Sequence, residues 1–387
     1  MRPRFLVTLF FAMLAGVVCG NHAAMMQGVH RRTGRGVFKL AIARGGCSRE
    51  KWIMADLSTT YMGIALKNPV TVAACSLSCK VENILRAEEA GAGALVIRSL
   101  FEEQIRHETG ELDAALAKGS ESYAEALSYF PAISHGEAKE HLFWVGRTRE
   151  ATKMPLIASL NAVSPGNWVA YAKQLADTGV DGLELNYYRV EADMTRDGLS
   201  AELQMLDIVA SVRASVKLPI AVKLSPFYTS VGNVIQKLDE IGVNGAVMFN
   251  RFLQPEIDPD KETVLHEMTY STSAEMRVPL RWIGLLYGKH SLDMAANTGI
   301  MEARDVVKAL LAGATVVQVA STLFRNGIGH LTSLRDGLNA WMDSKSYASI
   351  EDFRGKLSQQ GFEGDSVMFE RAQYLDFLMS RQRWVKA

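Results

Sequence analysis

Lys223 stands inside the stretch "LPIAVKLSPFY", where Ile220, Ala221, Val222 and Leu224 form an apolar run bounded by Pro219 and Pro226. Such a run reads as a buried strand. A lysine is rarely buried unless something pairs with its charge, so Lys223 is a candidate for chemistry. Other polar residues fall where apolar runs end: Asn161, Asn186, Asn250 and Asn297, together with Arg98-Ser99. One asparagine at a strand end is an ordinary turn or cap residue; four around one mouth are harder to dismiss. Carboxamides both donate and accept, so a ring of them suits a flat heterocycle with N–H and C=O edges, such as a flavin, a pyrimidine or both. "NTGI", with Thr298 and Gly299, and "VVQVAST", with Ala320 and Ser321, each precede a helical pattern. Small residues and free backbone N–H groups at helix starts suit a phosphate, although ordinary tight turns read the same way.

These residues need a scaffold that brings strand ends together. Strand-like runs occur at 70–74, 94–99, 156–160, 182–187, 220–225, 245–250, 292–297 and 316–321. Helical patterns lie between most of them, at Val81–Ala90, Trp168–Thr178, Ala201–Ser215, Val231–Ile241 and Ala303–Ala312, and Gly91, Gly179, Gly242 and Gly313 punctuate their ends. Glycine there permits the left-handed cap that closes a helix. Eight strands alternating with helices predict an α/β fold, one (β/α)8 barrel, with its site at the C-terminal mouth. The long insertions 100–155 and 251–280 fall on that face, and "QPEIDPDKET" in the second reads as a polar, lid-like loop. Ile328–Met342 is expected as the closing helix, with peripheral helices over "YASIEDFRGKLSQ" and Phe369–Arg383.

The chain of 387 residues carries 42 Lys/Arg and 42 Asp/Glu. That balance hides a split: residues 1–54 hold nine basic and one acidic residue. Arg2 and Arg4 precede an apolar run, Phe5 to Val18, with the layout of a secretory signal and too short to span a membrane comfortably. "MADLSTTYMGIALKNP" from Met54 looks like the start of a globular enzyme, so 1–53 is expected to be an N-terminal extension, signal-like or a misassigned start, and 54–387 the barrel with its C-terminal helices. No basic stripe suggests nucleic acid. Only Cys75 and Cys79 fall in the globular part, which excludes a four-cysteine cluster there and fits a reducing, cytoplasmic setting. No metal-ligand spacing occurs among the eight histidines, and His135, His141 and His290 read as surface or structural residues. No G-x-G-x-x-G follows a strand, which argues against tightly held NAD.

From Met54 onward the chain resembles the dihydroorotate dehydrogenase family, in particular bacterial dihydroorotate dehydrogenase-like proteins related to the soluble class 1 enzymes. The matching segments are "LKNPVTVAA", "AGAGALVIRSLFEEQI", "PLIASLNAVSPGNW", "GLELNYY", "LPIAVKLSPF", "PLRWIGLLYG", "AANTGI", "ARDVVKALLAGATVVQVASTLFRNG" and "FERAQYL". The resemblance implies a (β/α)8 barrel with FMN at its C-terminal mouth, oxidation of dihydroorotate or a similar small planar substrate in pyrimidine biosynthesis, and a homodimer without stable membrane association. It places Lys223 at the flavin N1/O2 edge, where a fixed ammonium stabilises developing negative charge. It implies flavin contacts from Ala73, Ala74 and Asn161, contacts to flavin and substrate from Asn186 and Asn250, and phosphate-binding turns at Thr298-Gly299 and Ala320-Ser321.

Three departures bear on activity. The family's phosphate turn is usually Gly-Gly, and here is Thr298-Gly299. Its second strand usually ends in Lys-Ser, whereas Arg98-Ser99 would meet the substrate here, and arginine forks differently from lysine. Orotate-forming class 1 enzymes carry a catalytic cysteine shortly after the Asn186 position; Arg189 stands there, beside a substrate by the same analogy, and arginine cannot act as a base. Tyr188 or Tyr187 is the candidate replacement, although an ordinary phenol is protonated at neutral pH and aromatic packing is the plainer reading of either. Two other readings stay open: a flavoprotein with a different small substrate or an electron-transfer role, and a Schiff-base lyase using Lys223.

Overall fold

The computed structural model describes residues 55–101, 136–162, 165–251, 254–265 and 269–361. Eight strands form a closed barrel: β1 (Val70–Val72), β2 (Ala94–Phe101), β3 (Leu156–Asn161), β4 (Gly182–Asn186), β5 (Ile220–Leu224), β6 (Gly245–Met248), β7 (Asp293–Asn297) and β8 (Val316–Val319). Each strand pairs in parallel with the next, and β8 closes on β1. Parallel strands covered on both faces must be apolar throughout, and every residue of β3, β4 and β5 is buried. All eight expected strands are therefore present, within a few residues at their ends.

Helices α1 (Val81–Glu89), α2 (Gly136–Ala151), α3 (Pro165–Ala176), α4 (Gly198–Ser215), α5 (Val231–Ile241), α6 (Arg277–Leu286) and α7 (Ala303–Ala312) surround the barrel. They are followed by a short α8 (Ser321–Asn326) and by α9 (His330–Lys345). The glycine punctuation has its expected cause: Gly91, Gly179, Gly242 and Gly313 all adopt positive φ. Helix α4 starts three residues earlier than its apolar pattern suggests. The Asp197 carboxylate accepts from the Ser200 N–H and caps the helix there.

The core has two layers. One lies between the strands and the helices. The other fills the barrel with Ala94, Val96, Ile157, Ala221, Val247, Ala295 and Val316, joined by Tyr61 and Met62. Those last two come from a hairpin, Thr59–Tyr61 against Ile64–Leu66, that plugs the N-terminal end of the barrel. Its tip is tied there because the Met62 N–H donates to the Asp293 carboxylate at 2.7 Å.

Two expectations need correction. "YASIEDFRGKLSQ" is not a helix but a chain of turns. Its amides are spent on neighbours: Gly355 donates to Leu310 O, Leu357 to Leu311 O and Gln359 to Gly284 O. Gly355 also sits at φ +72°, outside helical space. "QPEIDPDKET" is not an open loop, because Glu256–Asp258 pairs antiparallel with Thr263–Leu265. Residues 1–54, most of the first insertion, His135 and Phe369–Arg383 lie outside the described residues. Among the described residues no helix is long and apolar enough to cross a membrane, and no group of His, Cys, Asp and Glu could hold a metal.

Candidate active site

Strand polarity sends the residues after each strand to the same end of the barrel. There they enclose a cavity of about 630 Å³, within the range of small-molecule and cofactor sites. Ala73 and Ala74 from the β1 end, Arg98 and Ser99 from β2, Asn186 from β4 and Lys223 from β5 line it. Asn250 follows β6, Thr298 and Gly299 follow β7, and Ala320 and Ser321 follow β8. Tyr188 lies on the same wall. Of the sequence candidates, Asn161, Tyr187 and Arg189 do not line this space.

Each exception has a local cause. Asn161 is buried at the end of β3 and faces a separate cavity of about 200 Å³ with Trp168 and Tyr187. Arg189 is held outside by its partners: its Nε lies 3.2 Å from the Glu191 carboxylate, and its Nη1 donates to Gln204 Oε1 at 3.1 Å. It borders that small cavity and a neighbouring one of about 500 Å³. Tyr187 stacks on Trp168, ring centroids 6.2 Å apart. The expected pairing of Arg98 with Arg189 at one mouth is thus not formed; the second guanidinium in the cavity wall is Arg251. That group is committed to its surroundings: its Nε donates to Glu275 at 2.9 Å and its fork to Thr269.

The polar floor is a network. Asn250 Nδ2 donates to Asn186 Oδ1 at 2.6 Å, Asn186 Nδ2 to Ser99 Oγ at 3.3 Å, and Ser99 shares a 2.7 Å hydrogen bond with Ser159. The amide of Asn297 is used structurally, donating to Phe249 O at 2.8 Å. Lys223 is buried, and its Nζ lies 3.7 Å from Glu184 Oε1. Glu184 Oε2 accepts from Gln318 Nε2 at 2.7 Å. Glu184 and Gln318 were missed in the sequence, yet the signal existed. Each is a polar residue inside an apolar strand, as Lys223 is, and Glu184 stands two residues before Asn186, on the same strand face.

On the opposite wall the turn after β7 is left-handed twice, with Thr298 at φ +78° and Gly299 at φ +80°. A β-branched residue there is strained, and Thr298 Oγ1 anchors to Phe249 O at 3.1 Å. A side chain at 299 is impossible without movement, since a Cβ would meet Met276 N at 2.5 Å and Thr272 O at 2.8 Å. Gly299 N–H donates to Ser271 Oγ, whose own N–H donates to Ser321 Oγ at 3.1 Å. Ser271, Tyr270 and Phe324 complete this wall, the last two stacked at 5.5 Å.

The electrostatics favour an anion. Lys223, Arg98 and Arg251 line the cavity, and none of its described lining residues is acidic. The Arg98 guanidinium forms no hydrogen bond or ion pair among the described residues. Cys75, also in the wall, is pushed up to about 11 by burial, partly opposed by the Lys223 charge, so it is a neutral thiol at pH 7. A planar heterocycle bearing a phosphate fits these walls. Among the described residues Gln318 Oε1 is a buried acceptor with no hydrogen-bond partner, and the Lys223 ammonium has no acceptor within hydrogen-bonding distance.

Known proteins resemble this chain over the barrel. Residues 56–342 match the family model described as dihydroorotate dehydrogenase. The chain belongs to the dihydroorotate dehydrogenase family. It is 25% identical over 307 residues to a dihydroorotate dehydrogenase B (NAD(+)) catalytic subunit of Thermoplasma volcanium, covering 78% of this chain and 98% of that one. It is 27% identical over 289 residues to the corresponding subunit of Methanocella arvoryzae, covering 73% and 92%. Within the dihydroorotate dehydrogenase family the fold is the (β/α)8 barrel seen here, and the matched span takes in every strand of that barrel and every lining residue named above.

Proposed function

We propose that this protein is an FMN-dependent oxidoreductase that acts on a CH–CH bond of a small, planar, anionic substrate of the dihydroorotate type. The observation that carries this reading is the cavity of about 630 Å³ at the barrel mouth. It combines a buried lysine, a linked asparagine pair, an arginine unpaired among the described residues and a glycine-dependent turn. When bound, FMN supplies the acceptor for the hydride removed from substrate. In this reading Ala73, Ala74 and Lys223 hold the flavin ring, and Thr298-Gly299 and Ala320-Ser321 its phosphate. Asn186 and Asn250 orient the substrate through their shared hydrogen bond, and Arg98 takes its carboxylate by charge-assisted hydrogen bonds.

Loss of a substrate proton requires an acceptor in the same space. Arg189 stands where class 1 relatives carry their cysteine, and it is turned outside. Cys75 holds its proton too firmly to serve at neutral pH. Tyr188 is the phenol of the wall that follows β4, two residues beyond Asn186. The reading therefore expects an orotate-like anion to bind well and dihydroorotate to be oxidised slowly, by the 10²–10⁴-fold that general base catalysis usually contributes. The test is anaerobic mixing of the purified, flavin-loaded protein with dihydroorotate, following loss of the yellow absorbance. A colourless protein that binds no FMN would sink the flavin reading; trapping of a carbonyl substrate on Lys223 by borohydride would replace it with the lyase. Fast bleaching with one titrating group would instead show that a base is present, with Tyr188→Phe the variant to locate it.

A further inference from the structure

The resemblance explains why a cation belongs at Lys223. It does not explain how that cation persists in a buried strand. An ammonium transferred from water into a protein interior tends to lose its proton unless a partner holds the charge. Three buried polar side chains meet inside the barrel just below the cavity: Lys223 from β5, Glu184 from β4 and Gln318 from β8. Glu184 is 1% exposed. One carboxylate oxygen is fixed by the Gln318 amide at 2.7 Å; the other has no hydrogen-bond partner among the described residues and looks at Lys223 Nζ across 3.7 Å.

That spacing carries the argument. It is short enough for a strong Coulombic attraction and too long for a hydrogen bond. The ammonium is therefore held as a charge while none of its N–H groups is spent on the carboxylate. A direct hydrogen bond would have aimed Lys223 downward into the barrel. The other groups around the pair add no competing charge. The Cys75 thiol stays neutral at pH 7, Asn186 lies beside Lys223 in register, and the Tyr61 hydroxyl beneath is raised well above 10 by burial, by the Glu184 charge and by Asp293.

We infer that Glu184 is the buried counterion that keeps Lys223 an ammonium while leaving its N–H groups free for the cavity, which makes Glu184 a positioning residue for the site. Gln318 fixes the carboxylate in turn. The effect of this pair on a redox cofactor rests on the flavin reading above; the charge state of Lys223 does not.

The test uses the full chain as purified. Formaldehyde with cyanoborohydride methylates only the neutral amine, and the reagent is small enough to enter the cavity. Peptide mass spectrometry then reads Lys223 alone. At pH 7 the Glu184→Gln variant should methylate Lys223 about tenfold faster than wild type, and Glu184→Asp should restore slow labelling. An equal or slower rate in folded Glu184→Gln overturns the inference. If that variant does not fold, the double variant Glu184→Gln/Lys223→Gln decides. It must melt higher than the single Lys223→Gln variant, which leaves Glu184 uncompensated, and equal melting overturns the coupling. In the FMN-loaded protein Glu184→Gln should also lower the midpoint potential by about 30 mV, a tenfold change for two electrons. A protein that takes up no FMN removes the flavin reading while the labelling result still judges Glu184.

Discussion

Lys223 and Arg189 are two cations that chain position assigns to the same mouth, and the molecule treats them oppositely. Lys223 rides on β5, where pleat and register leave its side chain one direction, and it reaches the cavity floor. Arg189 follows β4 by three residues, already in irregular chain, and is drawn outward by Glu191 and Gln204. A strand residue is aimed by the whole barrel; a loop residue is aimed by whichever partner is nearest. The floor of the site is therefore fixed by the fold, and its rim by local contacts that a few substitutions can redirect.

The largest effect should come from breaking the floor. Lys223→Ala leaves Glu184 buried without its counterion, and breaking a buried pair in this way typically costs about 3–5 kcal/mol. Denaturant unfolding should show that loss. Combining the change with Glu184→Gln should recover much of it, since both charges are then gone. Flavin reduction should also slow by about 10²–10³-fold in either background, because one preorganised charge is missing. Wild-type reduction rates in Lys223→Ala would show that the lysine has only a structural role.

The same contrast explains what could be read in the sequence. Strand existence was legible because buried parallel strands are apolar runs, and the glycines that end the helices are demanded by positive φ. Strand ends also indicated that Lys223, Asn186, Asn250 and Ser99 meet at one cavity. Glu184 and Gln318 carried the same signal as Lys223, a polar side chain within an apolar strand, but identifying them as its partners needs the barrel to bring β4, β5 and β8 together. Arg189 and Asn161 were not legible, because salt bridges in a loop and the partition between adjoining cavities depend on side-chain directions that spacing does not encode. The turns of 347–359 were hidden for a related reason: their amides bond to α6 and α7, contacts distant in sequence.

A second test probes how the rim senses charge. His141 on α2 is buried, and its Nε2 has no hydrogen-bond partner among the described residues. Burial, reinforced by the Arg98 charge, lowers it to about 4. An unfolded histidine titrates near 6.5, so the folded state binds this proton less readily than the unfolded one. Its stability is therefore fully present above about pH 6.5 and is lost as pH falls towards 4, by at most about 3 kcal/mol. Denaturant midpoints measured from pH 7 to pH 4 should fall for wild type and fall less for His141→Gln. In an Arg98→Gln background the decline should be shallower, since the smaller of the two causes is gone. Parallel pH profiles for wild type and His141→Gln would assign acid sensitivity elsewhere.

The smallest effect is expected at Arg189, and it is the sharpest test of the comparison because Arg98 supplies its control. Arg98 lines the cavity with its guanidinium unpaired among the described residues, whereas Arg189 is engaged outside. If a carboxylate-bearing ligand such as orotate binds in the cavity, Arg98→Ala removes charge-assisted hydrogen bonds worth about 1.5–3 kcal/mol. That corresponds to roughly a 10- to 150-fold weaker Kd, at 1.4 kcal/mol for each factor of ten. Arg189→Ala removes only a partly exposed ion pair and one hydrogen bond, whose loss is usually worth less than about 1 kcal/mol of local stability. The same variant should leave orotate affinity within about threefold of wild type, a change under ~1 kcal/mol. Calorimetric titration of both variants at one ionic strength measures the difference directly. A loss at Arg189 equal to that at Arg98 would mean that the loop swings inward when an anion binds, and that the rim is set by the ligand and not by Glu191 and Gln204.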